Sequence, residues 1–198
     1  MVFELLRLSI DVTDREFDSI YPENIRRIAE RHWSPVGISK TASEFLVRRA
    51  GTRVLDIGSG VGKFCMIGAA TTRGHFTGVE HRLPLVELST TLSSRYDLQN
   101  VKYIHANVTS VDFSNYDAFY FFNSFYEQIN VHHCIDDSVT MDAQTYEAHV
   151  SGMVEQLSRL PLGARLATYA TLQSVVPGNF QLVDSLYYGS LNFWEKVF

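Results

Sequence analysis

Hydrophobic positions change their spacing near residue 50 of this 198-residue chain. Residues 22–32 and 38–49 carry apolar side chains at helical intervals, which predicts two helices. Beyond them, short apolar runs typical of buried strands alternate with helical patterns. The predicted strands are residues 53–57, 75–80, 101–106, 116–123, 164–172, 180–188 and 191–197.

Strands that alternate with helices predict an α/β fold with right-handed crossovers. We expect a doubly wound, mostly parallel sheet of seven strands, closed by an antiparallel C-terminal hairpin that turns at Gly189 and Ser190. The length suits one domain, in which a helical segment (residues 1–50) packs on a core (residues 51–198). In such sheets ligands bind beyond the carboxyl ends of the strands, here in the loops that follow residues 57, 79, 106 and 122.

The first of these loops lies in the stretch VLDIGSGVGKF, residues 54–64. It is not a phosphate-binding P-loop, because Ile57 stands where the first glycine is needed and Phe64 replaces the magnesium-binding hydroxyl. It does not fit the dinucleotide fingerprint either, because Lys63 and Cys65 occupy the two possible positions of the third glycine. A nicotinamide oxidoreductase is therefore disfavoured.

What remains is an aspartate followed by alternating glycines. Glycine lets a backbone pass close under a bulky group, and a carboxylate at a strand end attracts an amine or another cation. Glu80 ends the next strand, where an acid can accept hydrogen bonds from ribose hydroxyls. The pattern favours a nucleoside ligand without a pyrophosphate. The residues that form it are Asp56, Gly58, Gly60, Gly62 and Glu80.

These motifs resemble those of the class I S-adenosylmethionine-dependent methyltransferases. VLDIGSGVG is similar to their first motif, GVE to the acidic end of their second strand, HANVTSVDF to their third-strand segment and YDAFYFFNSF to their fourth-strand motif. The resemblance spans residues 33–198. It implies a Rossmann-like fold, S-adenosylmethionine as the cofactor and S-adenosylhomocysteine as the product.

The resemblance also implies cofactor-binding residues. Asp56 and the loop from Gly58 to Gly62, with Ser59, would hold the methionine part, and Glu80 would bind the ribose. Asn107 stands where the family often has an aspartate that contacts the adenine amine; a turn residue is the alternative. Val108 would supply a backbone N–H, and Asn123 completes the predicted set.

Methyl transfer needs an oriented acceptor more than a universal catalytic residue, because the cofactor carries the reactivity. Asn123 resembles the first position of the N-P-P-Y motif of amine and amide methyltransferases, although Ser124 and Phe125 replace its prolines. Tyr126 and Glu127 are the other catalytic candidates, as a pocket wall and as a base. Core packing and a solvated acid are their alternative roles.

Three functions stay open on the sequence. The first is methyl transfer to an unidentified acceptor. The second is protein N-methylation of lysine or amide, since DIGSGVGK with GVE also resembles the non-SET lysine methyltransferases. The third is a non-catalytic S-adenosylmethionine-binding regulatory protein.

The composition of the chain favours some classes of binding partner over others. The net charge of −5 argues against nonspecific nucleic-acid binding, so we expect a protein or small-molecule acceptor. Residues 24–53 nevertheless hold seven basic and two acidic side chains. The two cysteines and the absence of a membrane-spanning apolar run predict a cytoplasmic protein without a membrane partner, and its oligomeric state is left open. Adjacent ligand types at His132, His133 and Cys134 do not have metal-site spacing, so no metal is predicted.

Overall fold

Seven β-strands form the centre of the protein in the computed structural model, which describes residues 2–125, 135–136 and 142–198. In chain order they are β1 (Arg53–Ile57), β2 (His75–Glu80), β3 (Val101–His105), β4 (Ala118–Phe121), β5 (Arg165–Tyr169), β6 (Phe180–Leu186) and β7 (Leu191–Lys196). They form one sheet in the order β3-β2-β1-β4-β5-β7-β6. Neighbours from β3 to β5 are parallel, whereas β7 is antiparallel to both β5 and β6. The predicted fold class is confirmed.

The described residues also form eight α-helices. They are α1 (Val2–Arg7), α2 (Asp14–Asp18), α3 (Glu23–Arg26), α4 (Ala29–His32), α5 (Val36–Leu46), α6 (Lys63–Thr71), α7 (Leu83–Arg95) and α8 (Ala143–Ser158). Short 3-10 turns lie at Val108–Ser110, Phe113–Asn115 and Gln173–Val175. Within the described ranges, no helix is long and apolar enough to cross a bilayer.

The helix predicted over residues 22–32 is in fact two short helices, α3 and α4. Ile28 lies between them with φ −106° and ψ 0°, away from ideal helical values, and its N–H donates to the Ile25 carbonyl in a tighter turn, so the regular hydrogen-bond ladder is interrupted there. Ile25 and Ala29 remain buried in one cluster with Trp33. These three positions are four residues apart, so the buried face that a continuous helix would have is kept across the break.

Both faces of the sheet are covered by helices, because successive side chains of a strand point to opposite faces and both sets are apolar here. Leu55 and Ile57 of β1 face a core that includes Met153 of α8, whereas Val54 faces α5 and α6. A third cluster joins the N-terminal helices to α6 and α7. The helical segment before β1 is thus packed directly beside the loop that follows β1.

Gly68 allows α5, α6 and β2 to approach closely. A Cβ atom at this position would lie 2.4 Å from the Phe76 ring and 2.7 Å from Ser43 Oγ. Phe76 is 1% exposed and has no space into which to move. Gly152 of α8 is different, since a Cβ there would meet only Thr109 Cγ2 at an ordinary 3.6 Å.

These two helical glycines predict opposite effects of the same substitution. Gly152→Ala should stabilise the protein by about 0.5–1 kcal/mol, because alanine has the higher helix propensity. Gly68→Ala should destabilise it, because overpacking costs about 1–3 kcal/mol and exceeds that gain. Urea unfolding measures the free energy of unfolding of both variants and of the wild type. An equal increase in both variants would contradict the close packing at Gly68.

Candidate active site

A cavity of about 580 Å³ lies beyond the carboxyl ends of β1, β2 and β4. Its walls come from residues 31–34, from the 58–60 stretch after β1, from the end of β2 and from residues 122–125 after β4. The size is within the range of small-molecule sites. The end of the sheet predicted to bind a ligand therefore does contain a cavity.

The loop at residues 58–62, hereafter the glycine loop, has a left-handed backbone at three positions. Gly58, Gly60 and Gly62 have φ values of +75°, +53° and +74°. Side chains rarely adopt this conformation, so the alternating glycines are a backbone requirement.

The N–H groups of this loop are already bonded within the protein. Those of Gly58 and Ser59 donate to the Val79 carbonyl, at 3.0 and 2.9 Å. That of Gly60 donates to Glu80 Oε2 at 3.1 Å. The loop does not offer these donors to a pyrophosphate, which agrees with the rejection of the two phosphate-binding motifs.

Side chains from three other segments fill the space that a Cβ atom would need on these glycines. The distance from the ideal Cβ position to the nearest side-chain atom is 2.3 to 2.4 Å in every case. Gly58 faces Ser124, Gly60 faces the Trp33 ring, and Gly62 faces Tyr103. Gly58 and Gly60 thus make room for walls of the cavity, whereas Gly62 makes room for Tyr103. From the sequence, these glycines were expected to make room only for the ligand.

Glu80 is a buried, ionised acid at the end of β2. It is 5% exposed, accepts the Arg82 N–H at 2.9 Å and lies 3.0 Å from His81 Nδ1. Burial alone would raise the pKa of Glu80, but the His81 and Arg82 contacts outweigh it and hold the pKa below its usual value. Two carboxylate oxygens can accept about four hydrogen bonds, so Glu80 keeps capacity for a ligand.

Asp56, at the end of β1, is the opposite case. It is 4% exposed, and the Cys65 thiol donates to its Oδ2 over 3.4 Å. Burial raises the pKa of Asp56 to about 7; the Cys65 contact opposes this rise and the charge of Glu80 adds to it. A cation beside Asp56 would favour its ionised form.

Ser59 also lines the cavity. Its Oγ is buried and has no hydrogen-bond partner within the described part of the chain. Buried hydroxyls are normally bonded, so this Oγ, which packs against Gly78 of β2, is an exception.

The predicted adenine contacts lie on the β3 side of the cavity. Asn107 Oδ1 accepts the Thr109 N–H at 3.0 Å, and Asn107 Nδ2 lies 2.9 Å from His149 Nε2. Asn107 is therefore a turn residue whose side chain caps the following turn, and it still lines the cavity with the buried Val108. His149 was missed, because nothing in the sequence of α8 marked it as a neighbour of Asn107.

Asn123 and Ser124 lie where β4 ends. Asn123 has a φ of +43°, and its N–H donates to Thr171 Oγ1 at 3.2 Å. Ser124 Oγ donates to the Ile57 carbonyl, which joins the end of β4 to the glycine loop. Both residues line the cavity. Tyr126 and Glu127 lie outside the described residues, as do His132, His133 and Cys134.

Several cavity residues were not predicted as site residues. Arg31, His32 and Ser34 come from the N-terminal segment, Tyr120 comes from β4, and Lys63 opens α6. Ser34 Oγ and Tyr120 Oη lie 2.7 Å apart. The one available signal in the sequence was the Trp33-Ser34-Pro35 stretch, which separates the two predicted N-terminal helices. Among the described residues, no group of three or more metal-ligand types converges.

A protein-family model with the description protein-L-isoaspartate(D-aspartate) O-methyltransferase matches residues 14–130. A search of curated proteins gives no match. The matched range contains α2, the glycine loop and strands β1 to β4.

Solved structures show the same fold at low sequence identity. TrmN from Thermus thermophilus has a TM-score of 0.63 at 16% identity, over 92% of this chain and 53% of TrmN. An RNA methyltransferase from Salinibacter ruber, in complex with S-adenosyl-L-homocysteine, has a TM-score of 0.50 at 13% identity, over 89% and 91%. A SAM-dependent methyltransferase from Aquifex aeolicus has a TM-score of 0.54 at 14% identity, over 94% and 100%. The chain spans about half the length of TrmN.

The buried Asp56 predicts a pH dependence of stability. Its folded pKa, about 7, lies above the ordinary 3.8, so its contribution to stability is complete below pH 3.8 and is lost as the pH rises through 7. The free energy of unfolding of Asp56→Asn should therefore rise relative to that of the wild type by about 1.4 kcal/mol per pH unit between pH 5 and 7. Urea unfolding at pH 5, 6, 7 and 8 measures this slope.

Asp117→Asn is the matched control. The side-chain hydrogen bonds from Arg53 lower the pKa of Asp117, so this carboxyl is ionised in both states across the same pH range. The difference in free energy of unfolding between Asp117→Asn and the wild type should be constant from pH 5 to 8. If the difference for Asp56→Asn were also independent of pH, the raised pKa of Asp56 would be contradicted.

Proposed function

The chain belongs to the protein-L-isoaspartate(D-aspartate) O-methyltransferase family, and from this premise we propose that it transfers a methyl group from S-adenosylmethionine to an acceptor beside β4. The membership confirms the methyltransferase resemblance of its motifs. The observation that carries the proposal is the pair of buried carboxylates, Asp56 and Glu80, at neighbouring strand ends of one cavity.

These groups suit a cationic nucleoside better than a phosphorylated one. Two acids attract an amine and a sulfonium, and the glycine-loop N–H groups that a pyrophosphate would need are bonded to Val79 and Glu80. Asp56 and Ser59 would face the methionine part, and Glu80 would accept the ribose hydroxyls. Asn107 and Val108 would border the adenine.

The cofactor, when bound, supplies an activated methyl group on sulfur. The protein then needs to orient the acceptor and exclude water. Asn123 is suited to orientation, because its backbone is fixed by Thr171 while its side chain borders the cavity.

A carboxylate oxygen on a protein or peptide is the acceptor class that we favour. A carboxylate is already an anionic nucleophile, whereas an amine must first lose a proton to a base. Asn123 provides an amide at the cavity wall beside β4, and the bonded hydroxyl pair of Ser34 and Tyr120 has one further O–H, so both can donate a hydrogen bond to a carboxylate. The family whose model matches is named for O-methylation of L-isoaspartate.

Nitrogen methylation is the second candidate, since the Asn123 carbonyl could hold an NH₂ group. A third proposal, binding of the cofactor without transfer, shares the same cavity. All three share the methionine, ribose and adenine contacts and differ only in what happens beside β4.

The basic residues 24–53 do not favour a nucleic-acid acceptor. Arg53 begins β1, at the far end of the sheet from the cavity, and it pairs with Asp117 at 2.8 Å. Arg27 pairs with Glu23. These two charges are therefore paired within the protein, and of the seven basic residues, all within the part of the chain that the structure describes, only Arg31 lines the cavity.

Glu80→Gln tests the cofactor proposal. We expect the affinity for S-adenosylhomocysteine to fall about tenfold, because a charge-assisted ribose contact is weakened. Titration calorimetry measures the Kd, and NAD(H) serves as the contrasting ligand. Glu87→Gln, the same change at an exposed position of α7, should leave the Kd unchanged. Stabilisation of the wild type by NAD(H) alone would overturn the assignment.

The acceptor classes differ in the chemical stability of the product. Extract proteins labelled from S-adenosyl-[methyl-³H]methionine should release volatile label in mild base if a carboxylate is methylated, whereas N-methyl groups retain it. Asn123→Ala should lower turnover at least about tenfold without changing the affinity for S-adenosylhomocysteine. Asn115→Ala, at an exposed turn, is its control. Base-stable label would favour the second candidate, and cofactor binding without label in any fraction would favour the third.

A further inference from the structure

Lys63 is a buried cation that directly follows the glycine loop. Its side chain is 3% exposed, and its Nζ lies 2.7 Å from Asp14 Oδ1 and 2.7 Å from Asp18 Oδ1. Both acids belong to α2, which begins with a capping box between Thr13 and Glu16. We call these three charged residues the Lys63 cluster: Lys63, Asp14 and Asp18. A buried ammonium requires such partners, so α2 is held against the loop.

Asp14 makes a second contact that Asp18 does not. Its Oδ1 also accepts the Val36 N–H at 2.8 Å. Val36 is the first residue of α5, and the preceding Pro35 has no side chain that could cap the helix. The Asp14 carboxylate therefore caps α5 from another helix, at the end where the helix dipole favours a negative charge.

The residues just before this cap form one wall of the cavity. The Trp33 ring lies over Gly60, in the space that a side chain at Gly60 would need. Ser34 Oγ lies 2.7 Å from Tyr120 Oη. Trp33, Ser34 and Tyr120 all line the cavity. The position of segment 33–36 therefore sets the shape of the cavity beside Tyr120, which pairs with Asp56 across β1 and β4.

We propose that Asp14 is a positioning residue, which fixes segment 33–36 against the glycine loop and is itself held there by Lys63. Its contribution is to the ligand site, whereas Asp18 contributes to stability alone. The identity of the ligand rests on the proposed function; the contacts of Asp14 do not. A preorganised wall raises affinity, because binding then orders fewer groups.

Two substitutions separate positioning from plain stabilisation. Asp14→Ala and Asp18→Ala each remove one carboxylate from Lys63. Asp18→Ala removes the more buried partner, 13% exposed, whereas Asp14→Ala removes a partner that is 51% exposed together with the α5 cap, so both variants should lower Tm. The proposal predicts that ligand affinity falls in Asp14→Ala alone.

The affinity measurement uses S-adenosylhomocysteine and titration calorimetry. We expect the Kd to rise about tenfold in Asp14→Ala and to stay within about twofold of the wild type in Asp18→Ala. Asp14→Asn keeps an oxygen that can accept the Val36 N–H, so it should recover most of the affinity and serves if Asp14→Ala does not fold. An equal Kd in both alanine variants, or a larger loss in Asp18→Ala, would refute the positioning role.

Trp33 provides a readout that does not depend on a ligand. The chain has two tryptophans, so in a Trp194→Phe background the emission reports on Trp33 alone. Release of segment 33–36 in Asp14→Ala should expose this buried ring and shift its emission to longer wavelength, and Asp18→Ala should not. Absence of the shift would overturn the proposal. If the wild type failed to bind S-adenosylhomocysteine, the proposed function would fail and the Trp33 emission would still decide the role of Asp14.

Discussion

The left-handed backbone of the glycine loop is the constraint on which the rest of the site depends. Its conformation brings the N–H groups of Gly58 and Ser59 onto Val79 and that of Gly60 onto Glu80, so β1 and β2 end in one bonded unit. The missing Cβ atoms leave space that side chains from the N-terminal segment, from β3 and from the end of β4 enter. A side chain at any of these glycines would strain the backbone, and at Gly58 or Gly60 it would also displace a wall of the cavity.

This arrangement gives two neighbouring acids different protonation behaviour. Glu80 is surrounded by hydrogen-bond donors and cations, so it stays ionised without a ligand. Among the residues that the structure describes, the hydrogen-bond donor to the Asp56 carboxyl is the weak Cys65 thiol, and burial raises the pKa of Asp56 to about 7. A cationic ligand would supply the charge that Asp56 lacks. The site is therefore complementary to a cation at the end of β1 and to hydroxyl groups at the end of β2.

The sequence predicts the sheet because each strand is a short apolar run bounded by polar turns. It also predicts that Asp56 and Glu80 lie near each other, because the carboxyl ends of adjacent parallel strands meet at one edge of the sheet. It does not predict the walls of the cavity. Lys63 and Asp14 are 49 positions apart, and neither spacing nor propensity indicates that they meet. The divided helix at residues 22–32 is a further case, since the helical spacing of Ile25 and Ala29 continues across the break at Ile28. Contacts between residues far apart in the sequence, such as that of Lys63 with Asp14, are not indicated by local patterns.

The residues with a left-handed backbone differ in type between the two sides of the cavity. Beside β1 the left-handed residues are glycines, whereas at the ends of β4 and β5 they are Asn123 and Ala170, with φ values of +43° and +47°. Such residues cost about 1–3 kcal/mol each and persist only where the surroundings fix them. Here the Asn123 N–H is bonded to Thr171, and the Ala170 N–H is bonded to the Ser190 carbonyl at 2.8 Å. Hydrogen bonds to neighbouring segments therefore hold both residues in a conformation that L side chains rarely adopt, and both residues line the cavity.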